Sequence, residues 1–181
     1  MTTNLIFNKN NTFDVQQSLI SWFSSFNPQY FISIQFPKHL RNNNLDTTNK
    51  KLLKIMRAFE IDLLGRHWNR KHIPFIAVAE KGKSTHWHYH ILIYDCPFNF
   101  FQVQLIFHNI VDKYNLTKET IDVRPIITSG VNSYTSKEFK ADIKNHFDSD
   151  RIITSEILFN LSSKPKGHIS QSQNQVQNHR N

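Results

Sequence analysis

Two apolar segments rich in β-branched and aromatic residues, "HIPFIAVAE" and "WHYHILIY", lie within residues 72–94, separated by the polar stretch "KGKST". Runs of this length and composition form strands, and a short glycine-containing connection between two of them makes a hairpin. Alternation along the second strand puts His86, His88 and His90 on one face and Trp87, Tyr89, Ile91 and Ile93 on the other. A single histidine on a strand is readily explained as a solvated polar group. Three in alternation, beside an apolar run, ask for a chemical role.

Neutral imidazole is the commonest borderline metal ligand, and two on neighbouring same-face positions can grip one divalent ion. A third ligand is then needed, and Glu80 stands eight residues before His88. A seven-residue loop between them puts Glu80 opposite His88 on the same face. A tight four-residue turn over residues 81–84, without a bulge, turns it to the other face. The sequence leaves both registers open.

Charge narrows the partner. The 181 residues contain 22 Lys and Arg against 14 Asp and Glu, a formal charge of +8, which favours a polyanion such as nucleic acid. Apolar residues are only 39%, but fifteen Phe, five Tyr and three Trp can fill the core of one domain. A single cysteine, Cys96, excludes an internal disulfide and a multi-cysteine zinc site, and points to a reducing compartment. "MTTNLIFNKNN" has no signal-peptide core and no apolar run approaches eighteen residues, so no membrane association is expected. The expected location is intracellular: a bacterial cytoplasm, or the host-cell interior of a mobile element or virus.

Around the hairpin, Thr12 or Asp14 is placed to cap a helix over "VQQSLISWFSSF", with Leu19, Trp22, Phe23 and Phe26 on one face, and Asn27-Pro28 stops it. "YFISIQFP" reads as a strand. Asp46-Thr47-Thr48 is placed to cap a helix carrying Leu52, Leu53, Ile55, Met56, Phe59, Ile61, Leu63 and Leu64, with Gly65 as its stop. "NFFQVQLIFHNIVDKYN" predicts an amphipathic helix presenting Phe101, Leu105, Phe107 or His108, Ile110 and Val111. "TIDVRPII" predicts a strand that Pro125 assigns to an edge or strand end, and "VNSYTSKEFKADI" a last helix. The order α-β-α-β-β-α-β-α predicts an α+β fold, a mainly antiparallel sheet with flanking helices. Residues 1–160 form the expected domain, and 161–181 a polar, disordered tail.

"HYHILI", His88 to Ile93, resembles the second motif of the HUH endonucleases, a family that includes the rolling-circle replication initiators of plasmids and small DNA viruses. "YFISIQF" resembles their first motif. "VNSYTSKEF" resembles their third, Tyr-x-x-Lys on a helix, giving Tyr134 and Lys137. The three occur in the family's order across about residues 28–142. The resemblance implies an RRM-like palm whose central strands carry the metal ligands, here Glu80, His88 and His90. His86 is not required by the motif, which leaves the pairs 86/88 and 88/90 in competition. The continuation into "HILI" and the offset of Glu80 favour the second.

The same resemblance implies site-specific nicking and joining of single-stranded DNA at a replication origin, linear or in a hairpin, through a 5′-phosphotyrosine on Tyr134. A divalent ion would polarise the phosphate. His₂-Glu donors suit Mn²⁺, and cellular abundance supports Mg²⁺. A phenol of ordinary pKa about 10 is a weak nucleophile at neutral pH, and Lys137, one helical turn on, would favour its anion. Lys81, Lys83, Arg66, Arg70, Lys71 and Lys140 are candidates for the DNA backbone. No phosphate-binding G-x-x-x-x-G-K-[ST] loop occurs in the chain, so a host helicase is the expected partner for unwinding.

Two other readings fit parts of the sequence. "HWHYHIL" also resembles the histidine-triad nucleotide hydrolases and transferases, where His88 would attack phosphorus, though the Gln-containing lead-in is missing. A non-enzymatic single-stranded nucleic-acid binder would explain the charge and leave Glu80 an accident.

Overall fold

The first helix, α1 (Thr12–Ser25), ends where the sequence predicts: Asn27 takes φ 47°, a left-handed conformation asparagine tolerates, and Pro28 then disfavours any return to helix. There follow β1 (Tyr30–Gln35), α2 (Leu45–Leu64), β2 (Phe75–Lys81), β3 (Trp87–Ile93), α3 (Phe100–Lys113), β4 (Ile121–Pro125) and β5 (Ile152–Thr154). The structure is a computed structural model and describes residues 12–68, 70–81, 86–116, 120–127 and 149–157.

The five strands form one open sheet in the order β4-β1-β3-β2-β5, and every neighbouring pair is antiparallel. Strands β1 and β2 therefore run parallel to each other with β3 inserted between them, joined by α2 as crossover. The stretch β1-α2-β2-β3-α3-β4 is thus a ferredoxin-like split β-α-β arrangement, extended by α1 and β5. The fold is α+β, as the sequence predicts. Central placement of β3 follows from its composition: Ile91, Leu92 and Ile93 are all buried, so both faces of the strand need cover.

The two faces are covered differently. Tyr30, Ile32, Ile34, Phe75, Ala77, Ala79, Tyr89, Ile91 and Ile93 share the larger core with α2 and α3. Phe59 of α2 stacks on Phe107 of α3 at 4.6 Å, tying the two helices over that face. On the opposite face, Leu19 and Phe23 of α1 pack with Phe31, Ile76, Val78 and Leu92. That smaller cluster occupies one end of the face. His88, His90 and Glu80 lie towards the other end.

Several expectations need correction. The cap of α2 is Asn44, whose side chain accepts from the Thr47 backbone N–H at 2.9 Å, and not Asp46, Thr47 or Thr48. Gly65 does end the helix, at φ 55°. In α3 the buried stripe is Val103, Phe107, Ile110 and Val111, while Phe101 and Leu105 are exposed. Asn99 and Gln102 form a capping box there, which fixes the helix start and so the phase of its faces. Pro125 does close the edge strand β4. Strand β5 is not predicted by the sequence; its three residues are too few to show alternation. The predicted last helix and the tail, with Lys83, Tyr134, Lys137 and Lys140, lie outside the described residues.

A buried carboxylate away from the histidine face yields a stability prediction. Glu60 of α2 accepts from the Ile73 backbone N–H at 3.0 Å and meets His72 Nδ1 at 3.2 Å, anchoring the connection into β2. Burial pushes its carboxyl above the usual range, outweighing the hydrogen bonds from Ile73 and His72. A raised acid value means the folded chain binds more protons than the unfolded one between the ordinary and the raised value. Stability therefore falls as pH rises through that window, and is recovered on acidification. Glu60→Gln keeps an acceptor for Ile73 and removes the titration. It should equal or exceed the wild type in urea midpoint at neutral pH and show a flatter stability profile in the weakly acidic range. A less stable variant at neutral pH would show that the charged carboxylate is needed.

Candidate metal centre

The hairpin register decides where Glu80 points. Strands β2 and β3 pair with Lys81 opposite Trp87, Glu80 opposite His88, Ala79 opposite Tyr89 and Val78 opposite His90. Five residues, 82–86, connect the last pair, which excludes the tight four-residue turn. Glu80 and His88 are thus direct cross-strand neighbours on one face, and His90 is two residues along on the same side.

The side chains converge. His90 Nε2 lies 2.7 Å and His88 Nε2 3.5 Å from the same Glu80 oxygen, Oε2. The donor atoms of the three residues all fall within 4.8 Å of one another. Two ligands held at about 2.1 Å from a common ion sit roughly 3 Å apart, so this spacing needs little adjustment to close on a cation. Glu80 and His90 are buried and His88 nearly so. One carboxylate and two imidazoles offer the oxygen and nitrogen donors that metal ions take. The cluster could hold a metal ion.

Ring orientation is fixed by packing. Phe31 of β1 stacks on His90 with ring centres 5.4 Å apart and planes 20° from parallel, and His88 meets His90 edge-on at 5.2 Å. Phe31 in turn belongs to the cluster under α1. The first helix therefore bears on the candidate centre through one aromatic ring.

His86 does not join the set. It precedes β3, and its Nδ1 lies 3.0 Å from Asn43 Oδ1, while the neighbouring Trp87 Nε1–H donates to the Asn43 carbonyl at 2.9 Å. Asn43, just before α2, thereby clamps the start of β3. Of the two histidine pairs open in the sequence, 88/90 is the one that meets the carboxylate. His86 instead faces Asn43.

The basic residues separate. Lys81 adjoins Glu80, with its ammonium 5.5 Å from the centre of the Trp87 ring. Arg66, Arg70 and Lys71 precede β2 and so lie at the opposite end of that strand from Glu80. One cation the sequence does not single out is Arg151, buried before β5. It donates from Nε to the Ala79 carbonyl at 3.1 Å and stands 5.5 Å from the Trp87 ring. Nothing in its local sequence signals this, because it depends on the pairing of β5 with β2.

Among protein-family models, curated proteins and solved structures, no match to the chain is found. No helix among the described residues is long and apolar enough to cross a membrane.

Proposed function

We propose that this chain is a metal-dependent endonuclease and strand transferase that nicks and rejoins single-stranded DNA through Tyr134. The observation that carries the reading is the convergence of Glu80, His88 and His90 on one face of the two strands β2 and β3. The order of the three sequence motifs and the +8 charge support it.

Bound there, Mn²⁺ or Mg²⁺ would supply Lewis-acid polarisation of a phosphate oxygen, Mn²⁺ being favoured by the two nitrogen donors. The chain's own residues do the rest. Glu80, His88 and His90 fix the position of the scissile phosphate against the sheet. The Tyr134 phenol loses its proton and its Oη attacks phosphorus, forming a P–O bond. The bond from phosphorus to the 3′ oxygen breaks, and that oxygen takes up a proton to leave as a 3′-hydroxyl. Lys137, at i+3 from Tyr134, favours the phenolate by its charge. The phosphotyrosine conserves the energy of the bond broken, so the reverse attack by a 3′-hydroxyl rejoins DNA.

The test is incubation with a pool of single-stranded oligonucleotides and Mn²⁺, followed by denaturing electrophoresis. A protein band shifted by covalent DNA, absent with chelator, is expected. No shifted band with any oligonucleotide would overturn the nicking reading. Binding should also weaken steeply with salt, by orders of magnitude between about 50 and 200 mM, because neutralised phosphates release counterions. A flat response, read by fluorescence anisotropy, would favour a mononucleotide substrate.

A further inference from the structure

Three strands, and not two, border the proposed ion. Across β1 from His88 stands Gln35, and across β2 stands Glu80, so one row of the sheet reads Gln35–His88–Glu80 with all three side chains on the same face. Directly opposed strand residues have Cβ atoms about 4.5–5.5 Å apart, and glutamine is long enough to reach a group bound beside its neighbour. Gln35 is exposed, and among the described residues no partner holds its carboxamide.

The surroundings decide from which side a ligand can approach. Towards α1 the centre is walled by Phe31, Leu92 and Ile76, and along β2 by Val78, all buried and apolar. Towards β1 and β4 the same face carries Ser33, Gln35, Asp122 and Arg124, and the last two, like Gln35, are exposed. Asp122 and Arg124 engage each other at 2.7 Å. Among the described residues of this face, Gln35 is thus the long neutral donor beside His88 on the open side of the centre. Its neutrality matters. A lysine there would pair with Glu80, and a carboxylate would repel phosphate.

We infer that Gln35 is a substrate-binding residue, which donates from its carboxamide nitrogen to a non-bridging oxygen of a phosphodiester held at the Glu80–His88–His90 centre. The inference rests on the proposed phosphodiester chemistry of that centre and names the residue that selects and orients the phosphate. Gln35 does not ligate the ion.

The test separates ion from phosphate. Mn²⁺ affinity is measured by titration calorimetry, and binding of the single phosphodiester dTpdT by the ³¹P relaxation that protein-bound Mn²⁺ induces. Wild type should relax dTpdT. Gln35→Ala should leave Mn²⁺ affinity within about twofold and raise the half-saturating dTpdT concentration about tenfold, the effect of losing one hydrogen bond to a charged group. Gln35→Glu should bind Mn²⁺ more tightly and dTpdT more weakly still. If wild type relaxes dTpdT and Gln35→Ala does so equally well, the role of Gln35 is refuted while the phosphodiester reading stands. A Gln35→Ala variant that loses Mn²⁺ affinity as His88→Ala does would make Gln35 a ligand, contrary to the proposal. If wild type binds Mn²⁺ and never relaxes dTpdT, the phosphodiester reading fails and takes the inference with it.

Discussion

His90→Ala should abolish Mn²⁺ binding and with it every metal-dependent step. The imidazole is the better placed of the two, 2.7 Å from Glu80 Oε2 and buried under the Phe31 ring. Without it the ion keeps one nitrogen and one oxygen, and the exchange of a buried ligand for water forfeits most of the affinity. The apo protein should also suffer. Glu80 loses its hydrogen bond with His90, and removing one partner of a buried hydrogen bond costs about 1–3 kcal/mol. At a Mn²⁺ concentration of about 100 times the wild-type dissociation constant, linkage should stabilise the wild type by about 2.7 kcal/mol and the variant by nothing. Thermal melts with and without Mn²⁺ read both effects. His86→Ala is the control: it loses the Asn43 contact at the start of β3 and should retain the full Mn²⁺ shift. Equal losses at all three histidines would favour the triad reading.

Tyr134→Phe should eliminate covalent attachment to DNA while DNA and Mn²⁺ binding persist. The substitution removes one oxygen and keeps the ring, so a packing role would survive it. The other four tyrosines have structural explanations. Tyr89 is buried with its hydroxyl donating to Asn49 Oδ1, and burial raises its phenol well above the ordinary value, the wrong direction for a nucleophile. Tyr30 donates to the Phe98 carbonyl at 2.7 Å, Tyr94 is half-buried against Phe26, and Tyr114 follows the end of α3. Burial raises the phenols of Tyr30 and Tyr94 as well. Peptide mapping after reaction should place the 5′-phosphate on Tyr134. A Tyr134→Phe protein that still forms the adduct would identify another nucleophile.

The extent to which the site could be read from sequence follows from which of its features are local. Alternation is local, so "HWHYHILI" places His88 and His90 on one face and Tyr89 and Ile91 on the other, as found. Helix stops are local too, and Asn27-Pro28 and Gly65 act where expected. Register is not. Whether Glu80 faces the histidines depends on the residues spanning the hairpin, and only the pairing of Glu80 with His88 resolves it. The exclusion of His86 depends on Asn43, forty-three residues away, and the Phe31 stack on the order of strands in the sheet. Gln35 was within reach of the pattern, since "YFISIQF" alternates Phe31, Ser33 and Gln35 onto one face, but nothing local says that His88 is its neighbour. The buried face of α3 departs from the expected one for a related reason. Phe101 and Leu105 are apolar, and only the packing of Val103 and Phe107 against α2 shows that the stripe lies elsewhere.

The most direct measurement on the metal centre is pulsed electron paramagnetic resonance of the Mn²⁺-loaded chain, which detects directly coordinated histidine nitrogen. Two coupled imidazole nitrogens are predicted in the wild type and in His86→Ala, and no more than one in His88→Ala or His90→Ala. A wild-type spectrum without imidazole coupling, or a coupling lost in His86→Ala and kept in His90→Ala, would contradict a centre built from Glu80, His88 and His90.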